Sequence, residues 1–286
     1  MVKDTYLVDK YSLKCKGNLI DLSTPKIMSI INTTPDSFYD GGKNVTLSKI
    51  LKKIESDLSK GASIFDIGGY SSKPNAKFVT ESEELKRTIK NIEEIIKRFP
   101  NINISIDTFR GKVAENAINA GAGIINDISA FNLDDKMLDT LEKYQPSYIL
   151  MHMKGTPQTM QQNPVYKNII EEVLTFLKNK ISILEKISIG NIIIDPGFGF
   201  GKTVEHNYKL INNIGKFKSL RRPILIGVSR KSMINKVLKI KPIDSINGTT
   251  ALNMYALVNG ANILRVHDVE QAMQCIKIYQ EIEKNK

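Results

Sequence analysis

Polar residues that could perform chemistry stand at the ends of short apolar runs along this chain. Arg265 and His267 lie two residues apart in the last run, so a strand would place both on one face, where they can bind one anion. The polar segment 32–42 begins at the end of the first run and contains Asn32, Asp36 and Asp40, whose oxygens suit a hard cation such as Mg²⁺. Asp195 ends the sixth run before a glycine-rich loop, in which Phe200 could stack on a flat ligand. If the ends of the runs converge, these residues line one pocket.

Eight such runs occur, and they indicate a repeated βα architecture. Each run is short and rich in Ile and Val, as expected of a buried parallel strand, and helical patterns fill the gaps. The predicted strands are 27–32, 63–69, 103–109, 123–129, 147–153, 191–197, 223–229 and 261–267. Eight units in 286 residues fit an α/β fold of the (β/α)8 TIM barrel type, whose active site lies at the carboxyl ends of the strands. A doubly wound sheet is the rival fold, but no dominant glycine fingerprint follows the first strand.

The gaps between the runs carry helix start and stop signals. Thr46 is a plausible N-cap for the first helix, which Gly61 ends, and Thr80 with Glu83 predicts a capping box at the second. Later helices are predicted around 113–118, 138–141, 169–187, 210–214, 247–258 and 269–282, with an apolar face toward the barrel and Lys or Glu outside.

A short N-terminal β-hairpin is predicted before the barrel, within about residues 5–24. It spans Tyr11 to Asp21, with Gly17-Asn18 as the turn, and is expected to plug the amino end of the barrel. No break in composition marks a second domain, so residues 1–286 are predicted to form a single barrel domain.

Composition narrows the possible partners. A formal charge of +11 would favour an anionic partner, but the lysines are spread along helix faces and no basic patch with interleaved aromatics occurs, so nucleic-acid binding is not predicted. No apolar run approaches the ~20 residues of a membrane span, and residues 1–10 do not resemble a signal peptide. Cys15 and Cys275 lie at opposite ends without metal spacing, which predicts two inert thiols in a reducing compartment. We therefore expect a soluble, cytoplasmic protein.

Each motif also has a structural alternative. The segment 32–42 could be a turn-rich linker, Asp195 could cap a helix, and a single histidine in a strand is often only structural. The segment 195–203 is not a P-loop, because Gly197 leaves three residues rather than four before Gly201-Lys202. The functional interpretation is favoured where motifs coincide, since barrels commonly bind phosphate at the loops after the seventh and eighth strands.

The motifs together resemble the dihydropteroate synthases, the pterin-binding barrels of folate synthesis. The resemblance runs in order from about Ile27 to Val269, across all eight units. It is carried by Asn32–Gly42, Asp66–Pro74, Asp107-Thr108, Asn126-Asp127, Met151-His152-Met153, Asp195–Lys202, Ser229-Arg230-Lys231 and Arg265–Asp268. An ordered set of this kind is far more specific than any one of its motifs.

The resemblance implies an activity and a set of site residues. The family joins 6-hydroxymethyl-7,8-dihydropterin diphosphate to p-aminobenzoate, by loss of Mg²⁺-diphosphate and attack of the aryl amine on the resulting cation. The implied catalytic residues are Asp107, Lys231 and Asn32, with Asn32 as the ligand of a Mg²⁺ cofactor. The implied binding residues are Asp107, Asn126, Met151, Asp195, Phe200, Gly227 and Lys231 for the pterin, Asn32, Ser72, Arg265 and His267 for the diphosphate, and Phe38, Ser72, Pro74, Phe200, Lys231 and Ser232 for p-aminobenzoate. The partners implied are these small molecules and a second copy of the chain in a homodimer.

The chain departs from the family pattern in two loops. Lys73 stands where the family often has Arg, which loses a planar fork of donors, and Phe109-Arg110 stands where Ser-Lys is frequent. Both loops shape the p-aminobenzoate side in the family. Two alternative functions stay open: a methyltransferase barrel that uses methyltetrahydrofolate and has no need of Arg265 with His267, and a non-catalytic homologue.

Overall fold

The main sheet of the protein consists of parallel strands arranged in a ring. The computed structural model describes residues 12–33, 47–70 and 78–286. A hairpin of β1 (Ser12–Cys15) and β2 (Asn18–Asp21) comes first. The barrel strands are β3 (Lys26–Asn32), β4 (Ile64–Gly68), β5 (Ile104–Asp107), β6 (Ile124–Asp127), β7 (Ser147–Met151), β8 (Ile192–Asp195), β9 (Leu225–Ile226) and β10 (Ile263–Val266).

The strand order identifies the fold as a barrel. Strands β3 to β8 lie side by side in chain order, and β10 and β9 continue the sheet on the other side of β3. The ring closes where the Ile194 amide donates to the Pro223 carbonyl at 2.9 Å, next to a parallel bridge between Ile194 and Ile224. A doubly wound sheet would keep two open edges, so the predicted (β/α)8 barrel is confirmed.

Strand alternation decides which side chains enter the barrel. On β5, Ile104 and Ile106 pack in the outer core against the helices, so Ser105 and Asp107 face the interior. The same period of two applies to the other strands. Polar residues in the last part of each strand therefore meet at the carboxyl end of the barrel.

The hairpin closes the amino end, as predicted. Its side chains Leu13, Cys15, Ile20 and Leu22 form one buried cluster with inward residues of seven barrel strands, among them Met28, Ile124 and Ile263. The predicted turn is wrong by one residue: Cys15 pairs with Asn18, so Lys16-Gly17 form the turn, both with positive φ. Such a turn suits the twist of a hairpin, and Gly tolerates positive φ without strain.

Helices occupy the outside of the ring. They are α1 (Leu47–Ser59), α2 (Glu81–Arg98), α3 (Gly111–Ala120), α4 (Lys136–Tyr144), α5 (Ile169–Lys186), α6 (Val204–Ile211), α7 (Ser232–Leu238), α8 (Ile246–Val258) and α9 (Val269–Lys284). Thr80 caps α2 by accepting from the Glu83 amide, which is one half of the predicted capping box, and Gly121 ends α3 with a φ of 117°, as predicted. Thr46 lies outside the described residues.

Two predictions about the later helices are wrong. Ile214 is not part of the sixth helix, because α6 ends at Ile211 and a separate 3₁₀ helix begins at Ile214. Helix α8 carries no charged residue on its outer face, where Tyr255 and Val258 are exposed. The expected pattern of Lys or Glu on the outside therefore fails for α8.

Both cysteines are free and buried, and burial raises the pKa of each thiol, for Cys15 to about 11. A thiol of this kind reacts poorly, which agrees with the prediction of two inert cysteines. Among the described residues, no helix is both long and apolar enough to cross a membrane.

Candidate active site

A network of charged side chains forms the floor of the pocket at the carboxyl end of the barrel. Arg265 Nε donates to Asp66 Oδ2 at 2.7 Å, and Arg265 Nη2 donates to Asp107 Oδ2 at 2.6 Å. Asn126 Nδ2 donates to the same Asp66 oxygen at 2.9 Å. These four residues occupy inward positions on β10, β4, β5 and β6. The convergence predicted for Asp107, Asn126 and Arg265 is therefore observed.

Burial and neighbouring charges shift the pKa values of two groups in the pocket. Burial raises the pKa of Asp107 to about 7, with Arg265 opposing the rise and the nearby Asp66 carboxylate adding to it. Burial also lowers the pKa of Lys231 to about 8, while Asp195 opposes that change. Both groups therefore titrate close to neutral pH, which is characteristic of functional sites.

Asp195 and Lys231 stand on the neighbouring wall. Asp195 ends β8 with its side chain almost fully buried; its Oδ1 accepts from the Gly197 amide at 2.7 Å, and its Oδ2 has no partner among the described residues. Lys231 Nζ donates to the Phe198 carbonyl and lies 4.8 Å from the centroid of the Phe200 ring. One carboxylate oxygen and one ammonium group are thus presented beside an aromatic face.

Two glycines keep this wall open. A Cβ on Gly227 would lie 3.9 Å from both Arg265 Cβ and Lys231 Nζ, so a side chain there would enter the space between these residues. A Cβ on Gly199, whose φ is 82°, would lie 3.3 Å from Lys231 Cδ. The predicted site residue Gly227 therefore belongs to the pocket through the volume that it leaves free.

The loop after Asp195 is held by a buried lysine. Lys202 Nζ donates to the carbonyls of Gly197 at 2.8 Å and Phe200 at 2.9 Å, and it lies 2.9 Å from His152 Nδ1. Burial lowers the pKa of Lys202 and that of His152, so the neutral imidazole can accept from the lysine. Because Lys202 points into its own loop, it is not placed to bind phosphate as the lysine of a P-loop does.

An apolar cluster borders the charged floor. Met151, at the end of β7, packs with Phe200, Met153, Met160 and Ile128, and Phe109 packs against them. Thioether and aromatic side chains of this kind suit the faces of a flat ring. Met151 and Phe200, both predicted to cover a ring, are therefore part of one apolar surface.

Asn32 lies at the end of β3, near Asp107. A Cβ on Gly68 would lie 3.7 Å from Asp107 Oδ2 and 3.8 Å from Asn32 Oδ1. The absent side chain of Gly68 thus leaves a small space bordered by two oxygen atoms. Oxygen donors are what Mg²⁺ prefers, and it commonly takes only one or two from the protein. No group of three or more His, Cys, Asp or Glu suited to a metal occurs among the described residues.

His267 and Ser232 make no hydrogen bond to the charged network around Arg265 among the described residues. His267 Nδ1 lies 3.0 Å from Ser229 Oγ, and burial lowers the pKa of His267 to about 3, so the ring is neutral at pH 7. Ser232 is exposed at the first residue of α7. Three predicted site residues, Phe38, Ser72 and Pro74, lie outside the described residues.

Comparisons with known proteins agree with this geometry. A family model described as pterin binding enzyme matches residues 28–267. The dihydropteroate synthase of Haemophilus influenzae is 44% identical over 94% of this chain and 98% of its own length. A Yersinia pestis dihydropteroate synthase structure with a sulfonamide drug complex superposes with a TM-score of 0.91, at 36% identity over 96% of this chain and 99% of that one.

A third comparison is a Xanthomonas albilineans dihydropteroate synthase structure with 4-aminobenzoic acid, which has a TM-score of 0.89 and 35% identity and covers 96% of this chain and 98% of that one. Matches of this coverage leave no major part of the chain unaccounted for. The chain belongs to the pterin-binding enzyme family and, within it, to the dihydropteroate synthases. It is a transferase of this type.

One of the two departures from the family sequence pattern has a structural explanation. Arg110 pairs with the fully buried Glu84, and its Nη2 donates to the Val79 carbonyl at 2.7 Å. Its guanidinium carbon lies 5.0 Å from the centroid of the Phe109 ring and 5.6 Å from that of Tyr70. Arg110 therefore links the loop that follows Asp107 to α2 through its ion pair with Glu84, and it packs against the rings of Phe109 and Tyr70.

Several residues of the site were not among the predicted site residues. Asp66 lies at the centre of the network. In the sequence it begins the segment Asp66–Pro74 and stands inside an apolar run, where a buried charge must be paired, but neither signal gave it a role. The partnership of Glu84 with Arg110 joins residues 26 apart and leaves no local signal in the sequence.

Proposed function

We propose that this chain condenses 6-hydroxymethyl-7,8-dihydropterin diphosphate with p-aminobenzoate, giving 7,8-dihydropteroate and diphosphate. The observation that carries the proposal is the convergence of Asp107, Asn126, Asp195, Lys231 and Arg265 on one barrel mouth. These residues offer acceptors for a heterocyclic edge and cations for a leaving anion. A methyltransferase of the same fold would have no use for a cation at the position of Arg265.

The pterin ring would bind between the charged wall and the apolar cluster. Its amidine-like edge of adjacent N–H donors would pair with Asp195, whose Oδ2 has no partner among the described residues. Asn126 would accept from the remaining edge through Oδ1, because its Nδ2 is bound to Asp66. Lys231 would donate to the ring carbonyl and N5, with Met151 and Phe200 on the ring faces.

The reaction would proceed by early departure of the leaving group. The bond between the exocyclic methylene carbon and the diphosphate oxygen breaks, and its electron pair stays with the diphosphate. The resulting cation is delocalised into the dihydropterin, next to the carboxylate of Asp107. Arg265 would neutralise charge on the diphosphate, with His267 as a neutral hydrogen-bond donor through Nε2.

The second substrate needs little activation. The aryl amine of p-aminobenzoate is unprotonated near neutral pH, so its nitrogen attacks the methylene carbon, and one N–H proton leaves as the new C–N bond forms. No side chain has to act as a strong base in this step. The p-aminobenzoate subsite would include Phe200, Lys231 and Ser232, together with Phe38, Ser72 and Pro74 from segments outside the described residues.

A Mg²⁺ ion fits the donor set near Asn32. The space left by Gly68 between Asn32 Oδ1 and Asp107 Oδ2 is bordered by hard oxygen donors, and such a site would be completed by substrate phosphates and water. When bound, the ion would neutralise charge on the diphosphate. Asn32 is the residue proposed to hold it.

A homodimer located in the cytoplasm completes the proposal. The outer face of α8 lacks charged residues and exposes Tyr255 and Val258, with Val237, Leu238 and Ile243 exposed on the neighbouring segment. Exposed apolar side chains of this kind are typical of an interface between subunits. Two free, buried cysteines are compatible with a reducing compartment.

Release of diphosphate tests the proposed reaction. The purified chain with Mg²⁺ and 6-hydroxymethyl-7,8-dihydropterin diphosphate is expected to release diphosphate at a rate that rises strongly when p-aminobenzoate is added, with 7,8-dihydropteroate as the product. A chain that binds the pterin without releasing diphosphate would be a non-catalytic homologue. Methyl transfer from methyltetrahydrofolate to a corrinoid would instead support the alternative barrel.

A further inference from the structure

Asp66 is a buried carboxylate with no role in the reaction described so far. It lies in the middle of β4, its side chain has no exposed surface, and its Oδ2 is the acceptor for two different residues. Arg265 donates to this oxygen through Nε at 2.7 Å, and Asn126 donates through Nδ2 at 2.9 Å. A single oxygen atom therefore links two residues that are assigned to different parts of the substrate.

The bond to Asn126 decides which way its amide faces. An amide group has one accepting and one donating end, and only its hydrogen-bond partners decide which end points where. Because the Asp66 oxygen is the acceptor in this bond, Nδ2 of Asn126 must face it. The Oδ1 atom of Asn126 is then the end available to an N–H group of a ring in the pocket.

The bonds to Arg265 decide where its guanidinium lies. Nε is used on Asp66 and Nη2 on Asp107, whereas Nη1 has no partner among the described residues. A guanidinium held by two of its nitrogens has lost most of its rotamer freedom. Its third nitrogen is thereby fixed as the one that can reach an anion.

The surroundings of Asp66 leave one of its two carboxylate oxygens without a use in the barrel. Its Oδ1 atom is buried and has no hydrogen-bond partner among the residues that the structure describes, and the same is true of Ser105 Oγ, which is paired with Asp66 in register on β5. A buried carboxylate with an unsatisfied oxygen costs stability, so the value of a carboxylate here lies in its bonds to Arg265 and Asn126.

We propose that Asp66 is a positioning residue, which orients Asn126 for the pterin and Arg265 for the diphosphate through one shared oxygen. This inference rests on the proposed function, because the two ligands are the two parts of the proposed substrate. It predicts that the effects of changing Asp66 pass through Asn126 for one ligand and through Arg265 for the other.

The experiment measures two ligands separately by calorimetry on the full chain: 6-hydroxymethyl-7,8-dihydropterin, and inorganic diphosphate with Mg²⁺. Asp66→Asn keeps the shape of the side chain. It should lower the affinity for each ligand by about tenfold, because Asn126 and Arg265 are then no longer held in place for the pterin and the diphosphate. Asn126→Ala should lower only the affinity for the pterin, and Arg265→Met should lower only the affinity for diphosphate. Ser105→Ala, a neighbouring buried change, is the matched control and should leave both affinities within about twofold.

Double mutants distinguish positioning from a general structural effect. In the Asn126→Ala background, Asp66→Asn should weaken pterin binding by less than about twofold, and in the Arg265→Met background it should do the same for diphosphate. Losses that simply multiply in both backgrounds would overturn the proposal, as would an Asp66→Asn chain with unchanged affinities. If Asp66→Asn does not fold, Asp66→Glu takes its place, with the same expected coupling because the oxygen is displaced.

Failure of the inference is separable from failure of the proposed function. A wild-type chain that binds neither ligand contradicts the proposed function. A wild-type chain that binds both, with additive double mutants, contradicts only the role of Asp66.

Discussion

Arg265 Nη2 lies 2.6 Å from Asp107 Oδ2, which pairs the cation proposed for the diphosphate with the carboxylate proposed to face the developing pterin cation. The charge of Arg265 opposes the rise that burial causes in the pKa of Asp107, and the Asp107 carboxylate in turn raises the pKa of Arg265. Binding of a diphosphate would draw on the same guanidinium. The availability of Asp107 for the reaction is therefore linked to the position of Arg265.

Replacing Arg265 should separate the two parts of the substrate. In Arg265→Met, affinity for Mg²⁺-diphosphate should fall by about 1.5–3 kcal/mol, because a charge-assisted hydrogen bond is lost. Binding of 6-hydroxymethyl-7,8-dihydropterin should change by less than about threefold. Isothermal titration calorimetry measures both, and Arg222→Met, which breaks an ion pair on the outer surface, is the control. Equal loss for both ligands would show that Arg265 supports the ring or the fold.

Replacing Asp195 should affect the pterin instead. Asp195→Asn removes an acceptor for paired N–H donors and should cost about 1–3 kcal/mol of pterin affinity. Asp57→Asn is a matched control, because Asp57 is equally buried but bonds to Ser29 Oγ on the helix side of β3, away from the pocket. Unchanged pterin affinity in Asp195→Asn, measured by fluorescence titration, would contradict its assignment to the ring edge.

The pH profile of the reaction should be bell-shaped. Activity requires Asp107 ionised and Lys231 protonated; kcat/KM should therefore rise as pH passes about 7 and fall as pH passes about 8. Asp107→Asn should remove the acidic limb along with most of the activity, and Lys231→Arg should move the alkaline limb to higher pH. An acidic limb that persists unchanged in Asp107→Asn would assign it to another group.

The sequence predicted the framework better than the network inside it. Strand positions could be predicted because each barrel strand is a buried run of Ile and Val, and the sequence alone shows where such a run ends. Residues near the end of such a run, such as Asp195 and Lys231, could be predicted for the same reason. The role of Asp66 was not, because it depends on which donors meet it from β6 and β10, at positions 60 and 199 residues away.

Local sequence patterns gave wrong element boundaries where two backbone conformations fit the same pattern. Ile214 continues the helical spacing of α6, but the chain begins a 3₁₀ helix there, and periodicity does not separate the two over so few residues. The hairpin turn moved by one residue because Lys16 accepts a positive φ next to Gly17, which composition alone does not reveal.

The stability that two buried, neutral histidines contribute should be lost as the solution becomes acidic. Burial lowers the pKa of His267 from 6.5 to about 3 and lowers that of His152 well below 6.5, so the unfolded chain binds these protons first. Their contribution to stability is therefore fully present above pH 6.5 and decreases as pH falls from there toward 3. His267 alone accounts for up to about 2 kcal/mol between pH 7 and pH 5. Urea unfolding at both pH values should show a smaller difference for His267→Gln; the same difference as wild type would contradict this assignment.

The buried ion pair between Glu84 and Arg110 should contribute strongly to the stability of the fold. Glu84 is completely buried and is satisfied by Arg110 and by Thr108 Oγ1 at 2.7 Å, so Arg110→Met leaves an unpaired carboxylate in the core. The free energy of unfolding should fall by about 3–5 kcal/mol at neutral pH, whereas Lys143→Met, which breaks an exposed pair with Glu115, should cost less than about 1 kcal/mol.

Two further measurements identify the unpaired charge as the cause. Burial already raises the pKa of Glu84, and Arg110 lowers it, so removing Arg110 raises the folded-state pKa further. A carboxyl with a raised folded-state pKa costs stability as pH rises from its ordinary value of 4.5 to the raised one, so Arg110→Met should regain part of its stability as pH is lowered toward 5. Adding Glu84→Gln should also recover part of the loss, because a neutral amide costs less to bury than a charge. If neither change restores stability in urea unfolding, the contribution of Arg110 lies in its packing against Tyr70 and Phe109 rather than in its charge.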